Sequence, residues 1–369
     1  MSISCIGIRY ATAQRLCPPQ MALDVNSAQE AEQQKIIAPQ LPSRLDAYIG
    51  LMNTGLPMSE DCLRLSIFTP SLEGRRPVLV WIHGGAFLTG SGLYERYDAT
   101  ELSDMGDIVV VNISYRLGVL GFSCIPEQNV RNLGLQDQAC ALRWIRRNIT
   151  HWGGNPERIT VFGQSAGAYS VACHLATLQE PLFQRAILAS APFFPTTQKS
   201  MARNTKRFLK VLGKPVTEAT LDEILAAQKE SKGGSLSGMP YCPVCPDLKN
   251  PKQLMPGLKK VLLWNQQDDA SLFVPFQWLN PIVTRLVFRQ PMLQYAHTLQ
   301  TRGIDVRTLQ FFWRHGSGPS GAAHCIELPL IFGDWEHWKD APFLQGVDEE
   351  EYTRKVIEMK HLVIDFVTE

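Results

Sequence analysis

Ser165 stands between Gln164 and Ala166, with Gly163 and Gly167 flanking that trio. A strand-like run at 158–162 (RITVF) ends just before this GQSAG, and a helix-like pattern follows at 168–177. A strand that turns this sharply into a helix brings backbone close to the serine on both sides, which only glycine tolerates, and it pushes the hydroxyl outward. The chemistry on offer is nucleophilic attack by Ser165, with the helix start favouring the negative charge that develops.

Attack on a carbonyl needs three more things: donors for the oxyanion, a base for the serine proton, and an acid to fix the base. His83-Gly84-Gly85-Ala86-Phe87 follows a second apolar run, 77–82 (PVLVWI), so the amides of Gly85 and Ala86 are candidates to join that of Ala166 as donors. Six histidines follow the serine: His174, His297, His315, His324, His337 and His361. His174 and His297 fall in helical patterns, whereas His315 and His324 share a Gly/Ser loop after a strand-like run at 306–313; spacing leaves both open. For the acid, Asp268 and Asp269 follow the run 260–264 (KVLLW), where a loop at a strand's C-terminal end is expected.

These residues are carried by alternating elements. Strand-like runs at 63–68, 77–82, 107–113, 158–162, 185–190, 260–264 and 306–313 are interleaved with helical spacing at 135–148 and 168–177. Continuous apolar runs belong to strands covered on both faces, so the alternation predicts a mostly parallel central sheet with helices on both faces. The whole chain, 1–369, reads as one domain, with 192–259 as a helical and irregular excursion rich in Gly, Ser and Pro.

With 45% apolar and 19% charged residues, the chain can bury a large core. A formal net charge of +1 without basic runs gives no footprint for nucleic acid or for a membrane, so a small neutral molecule is the expected partner. No export signal or bilayer-length apolar run is visible, and the odd count of nine scattered cysteines suits reduced thiols, which together read as cytoplasmic. Cys242 and Cys245 form a lone CxxC without a second ligand pair, so neither a metal nor a cofactor is expected. Oligomeric state is not readable.

The segments SEDCLRLSIFTP, WIHGGAF, YRLGVLGF, NITHWGGNPERITVFGQSAGA, LFQRAILAS, DDASLF and AAHCIELPLIFG together resemble the type B carboxylesterase and cholinesterase family, across nearly the whole chain. The resemblance implies an α/β-hydrolase fold and a serine carboxylesterase acting on small esters with water as co-substrate. It implies Ser165 as nucleophile, His324 over His315 as base, and Gly85, Ala86 and Ala166 as oxyanion donors. The family acid is a glutamate whose position matches Asp269, one methylene shorter. Glu327 and Ser190 match residues that support the triad, and Glu60 and Arg116 match a buried ion pair. Phe193, Phe194 and Phe273 are expected to line the acyl pocket. Ala38 stands where secreted members pair a cysteine with the one matching Cys62, so Cys62 is expected to be free. Gln164 replaces the glutamate of cholinesterases and Leu272 an aromatic, which disfavours a quaternary ammonium substrate. The short interval from Asp269 to His324 implies a reduced lid. The same fold and residues would also suit an amidase or carbamate hydrolase, or a relative that binds without turnover.

Overall fold

The computed structural model describes residues 2–369 apart from Asn26, Thr54, 232–238 and 314–320. His315 and most of the Gly/Ser stretch at 231–238 therefore lie outside the described residues. Eight strands among them form the main sheet: β1 (Ile3–Arg9), β2 (Arg64–Thr69), β3 (Arg76–Ile82), β4 (Val109–Ile113), β5 (Gly154–Gln164), β6 (Arg185–Ala189), β7 (Lys260–Gln266) and β8 (Asp305–Phe311). Their spatial order is β1-β2-β4-β3-β5-β6-β7-β8. The β1–β2 and β2–β4 pairs are antiparallel and every later pair is parallel.

The unbroken apolar runs are explained by cover on both faces. Along β3, Val78, Val80 and Ile82 enter one buried cluster while Leu79 and Trp81 enter the other. The period-two alternation of a strand thus feeds two cores, and no polar face remains. Helices α1 (Leu133–Asn148) and α2 (Ala166–Thr177) cover the first face through Leu142, Ile145, Val171 and Leu175. The excursion at 192–259 contributes α3 (Gln198–Leu212) and α4 (Leu221–Ser231), whose Phe208 and Ile224 join the same cluster. The second face is closed by α5 (Glu349–Thr368), which inserts Tyr352, Val356, Met359 and Val363.

The first strand escapes sequence patterning because its register shifts between Ile6 and Ile8, around Gly7 at φ +83°. A bulge breaks the alternation on which such a reading depends. The run at 107–113 begins later than expected, since Asp107 at φ 45° caps the helix Thr100–Gly106. No helix among the described residues is long and apolar enough to cross a membrane.

Candidate active site

Strands β3, β5, β6 and β7 run parallel side by side, so their C-terminal ends deliver their loops to one edge of the sheet. Ser165 is the first residue past β5 and the N-cap of α2, held at φ 54°, ψ −118°. Its N–H donates to the Ala189 carbonyl at the end of β6 (2.9 Å). The flanking glycines are needed for space: a Cβ on Gly163 would lie 2.3 Å from the Gly167 carbonyl carbon, and one on Gly167 would lie 2.0 Å from the Ile82 oxygen. A non-glycine residue in this backbone region is strained, and it persists here because β3, β5 and α2 over-determine it.

The loop after β3 carries three successive residues with positive φ, Gly85, Ala86 and Phe87. Successive amides in such a turn point into a common concavity that suits an anion. The loop is pinned from below. Leu88 N–H donates to the Gly85 carbonyl (3.0 Å), Gly118 N–H to that of Phe87 (2.7 Å), and the Tyr115 hydroxyl to that of His83 (2.9 Å). His83 stacks on Tyr115 with ring centroids 4.5 Å apart, and burial pulls its pKa down to about 4, so it stays a neutral packing group. Among the described residues the amides of Gly85, Ala86 and Ala166 have no backbone acceptor, and Gly85 and Ala86 border the same cavity as Ser165.

His324 and Asp269 meet from two different loops, His324 Nδ1 lying 2.8 Å from Asp269 Oδ1, with both side chains buried. The other Asp269 oxygen accepts from the Gln266 N–H (2.7 Å) and the Ser190 hydroxyl (3.2 Å). Ser190 is thus placed against the acid. Asp268 points the other way and ties loops together: it accepts from Asn280 Nδ2 (3.0 Å) and the Ala322 N–H (3.1 Å), while its own N–H donates to the Ala322 carbonyl (3.0 Å). Gln164 Nε2 lies 3.3 Å from His324 Nε2 and 3.4 Å from Cys325 Sγ. Because carboxylate Asp269 can only accept, Nδ1 carries the proton and Nε2 accepts from Gln164. Glu327 is fully buried nearby, and desolvation pushes its carboxyl up to about 7.

Ser165 and His324 share one cavity of about 590 Å³, a volume within the ordinary range for small-molecule sites. Phe194, Leu272 and Phe273 border it; Phe193 does not. Phe193 is instead buried in the core with its ring 4.8 Å from that of Tyr295. Phe273 and Phe288 bracket the His324 ring at centroid separations of 5.2 and 5.5 Å. Phe288, Val283 and Val287 were not legible as site residues, since the helical run at 280–300 gives a packing pattern with no chemical signature. The expected Glu60–Arg116 pair does not form. Arg116 binds Asp137 (2.6 Å) and Glu60 binds Arg15 (2.7 Å). All nine cysteines are free, and burial raises the Cys62 thiol to about 12.

The family model described as "Carboxylesterase family" matches residues 4–233. A probable N-octanoylanthranilate hydrolase of Rhodococcus erythropolis is 36% identical over 94% of this chain and 84% of its own length. A para-nitrobenzyl esterase of Bacillus subtilis is 32% identical over 89% of this chain and 76% of its own. A solved PNB esterase superposes with a TM-score of 0.85 at 28% identity, covering 99% of this chain and 87% of that one.

Proposed function

The chain belongs to the carboxylesterase family, a carboxylic-ester hydrolase on the α/β-hydrolase fold, and we propose that it hydrolyses small neutral esters by acyl transfer through Ser165, His324 and Asp269. The observation that carries this reading is the buried His324–Asp269 pair opening onto the cavity that holds the strained Ser165.

The imidazole Nε2 exchanges its Gln164 contact for the Ser165 hydroxyl and takes that proton as Oγ attacks the ester carbonyl. The oxyanion is received by the amides of Gly85, Ala86 and Ala166, a reading supported by the pinned loop after β3 and by the lack of a backbone acceptor for these amides among the described residues. Asp269, fixed by two donors on its far oxygen, stabilises the imidazolium and holds its tautomer. The imidazolium protonates the departing alcohol. Water, deprotonated by the same nitrogen, then releases the acid and frees Ser165.

A substrate without positive charge is supported by the cavity lining, which includes Arg44 and, among the described residues, no Asp or Glu. Its volume, with a relative named for N-octanoylanthranilate, supports an acyl group of octanoyl size. The nine free thiols support a reducing, cytoplasmic setting, and the shared sheet supports one domain over 1–369, with 192–259 as an excursion from it. Ser165→Ala should abolish p-nitrophenyl ester hydrolysis and labelling by an organophosphonate while leaving the melting temperature unchanged. Full retention of hydrolysis would refute the scheme, and labelling of the wild type without turnover would assign a binding role instead.

A further inference from the structure

The helical run at 280–300 and the segment leading into it expose an apolar face that the ester chemistry does not use. Phe276 is 59% exposed, Trp278 70%, Ile282 50% and Leu286 58%. Ile282 and Leu286 lie one turn apart on the helical run, and Trp278 stands in the 3-10 turn Gln277–Leu279 that leads straight into it. Val283 and Val287, one position further around, border the cavity that holds Ser165. The exposed stripe therefore lies beside the cavity mouth. Across the mouth, Tyr48 borders the cavity and is itself exposed.

On the helical side of this rim the charge has one sign. Between Ala270 and Ile304 the chain contains Arg285, Arg289 and Arg302 and no acidic residue. Arg285 and Arg289 are exposed beside the apolar stripe; on the facing rim Arg44 is exposed and borders the cavity, with Asp46 half-buried and turned to the Ser43 N–H. None of these three arginines has a carboxylate partner among the described residues. A net charge of +1 averages over the molecule and conceals this local concentration.

We propose that this face docks on the surface of an anionic lipid bilayer, with the cavity mouth held against it. Aromatic and aliphatic side chains enter the boundary between headgroups and acyl chains, while flanking arginines meet the headgroup charge. A second copy of the chain is a poorer occupant. A two-fold contact through this helical face would set one basic surface against another, and between Ala270 and Ile304 there is no carboxylate in answer. Docking places an apolar ester dissolved in the bilayer at the cavity mouth, so it reaches Ser165 without crossing bulk water. The docking itself does not depend on turnover.

The test is flotation of the full chain with vesicles of phosphatidylcholine containing phosphatidylglycerol, against phosphatidylcholine alone. The chain should float with the anionic vesicles and remain with the soluble fraction otherwise. Trp278→Ser and Ile282→Ser should each weaken binding by roughly tenfold, the factor expected for losing one membrane-buried apolar side chain. Arg285→Gln should weaken it by roughly fivefold. All three should keep wild-type kcat/KM on the water-soluble p-nitrophenyl acetate, which shows that fold and site are intact. The proposal is overturned if the wild type binds neither vesicle or both equally, or if the serine variants bind undiminished. A dimer in sedimentation equilibrium that dissociates on Trp278→Ser would overturn it too, giving the face to a second copy. Vesicle binding without ester hydrolysis would refute the esterase mechanism and leave this docking intact.

Discussion

Replacing Asp269 by asparagine tests the mechanism at its most exacting point, because the site itself dictates how the amide must sit. In the wild type, Asp269 Oδ2 accepts from both the Gln266 N–H and the Ser190 hydroxyl, while Oδ1 faces His324 Nδ1. Asparagine has one acceptor oxygen, and two fixed donors claim it. Its NH₂ group is left facing His324, so Nδ1 must become the acceptor and the proton moves to Nε2. A base with its proton already on the working nitrogen cannot take another from Ser165. The loss expected from a wrong-tautomer histidine is about 10³- to 10⁴-fold in kcat, or about 4–5.5 kcal/mol of barrier. The assay is p-nitrophenyl ester hydrolysis under saturating substrate, with a thermal melt to show that the buried site remains folded. KM should change little, because Asp269 does not border the cavity. A variant that retains kcat within tenfold would show that Asp269 does not orient the base, and the triad as drawn would fail.

Three further outcomes follow from contacts already described. Gln164→Glu puts a carboxylate beside His324 Nε2, which favours the protonated imidazole; the acid limb of kcat/KM should move to higher pH by about one unit, read from a pH–rate profile. Glu327 has its folded pKa raised from 4.5 to about 7 by burial, so its contribution to stability is full below 4.5 and is lost as pH rises through 7. Glu327→Gln removes that loss, and the difference in unfolding free energy between variant and wild type should shift in the variant's favour by on the order of 3 kcal/mol between pH 4.5 and pH 8 in urea titrations. Asp137→Ala leaves the Arg116 guanidinium buried without its carboxylate, which should cost about 3–5 kcal/mol in the same titrations, with kcat largely preserved in the folded fraction.

The parts of this molecule that were legible in its sequence are those whose physics is local. The apolar runs at 77–82 and 158–162 declare strands covered on both sides, and GQSAG declares a turn that needs its flanking glycines, so the strand-to-helix turn at Ser165 and the glycine loop after 77–82 could be placed from pattern alone. The preference for His324 over His315 came from the family resemblance, because the Gly/Ser-rich sequence that carries both has no periodicity. The exchange of partners between Glu60 and Arg116 has the same root. Both charges are visible in the chain, but which opposite charge each meets depends on the packing of segments distant in sequence, and Arg15 and Asp137 give no local sign of it. Phe193 and Phe194 are adjacent and chemically identical; only the turn after β6 sends one to Tyr295 and the other to the cavity. The first strand was hidden by its own bulge at Gly7.

Asp268 has a role that its neighbour's chemistry obscures. By binding Asn280 at the head of the 280–300 helix and Ala322 two residues before His324, it clamps three separate stretches of chain together. Tuning at the gate and tuning of the reaction are therefore not independent for this protein. Directed evolution that loosens Asn280 to admit a bulkier guest will also disturb the spacing of His324, whereas changes at Val283 and Val287 widen the doorway and leave the clamp in place.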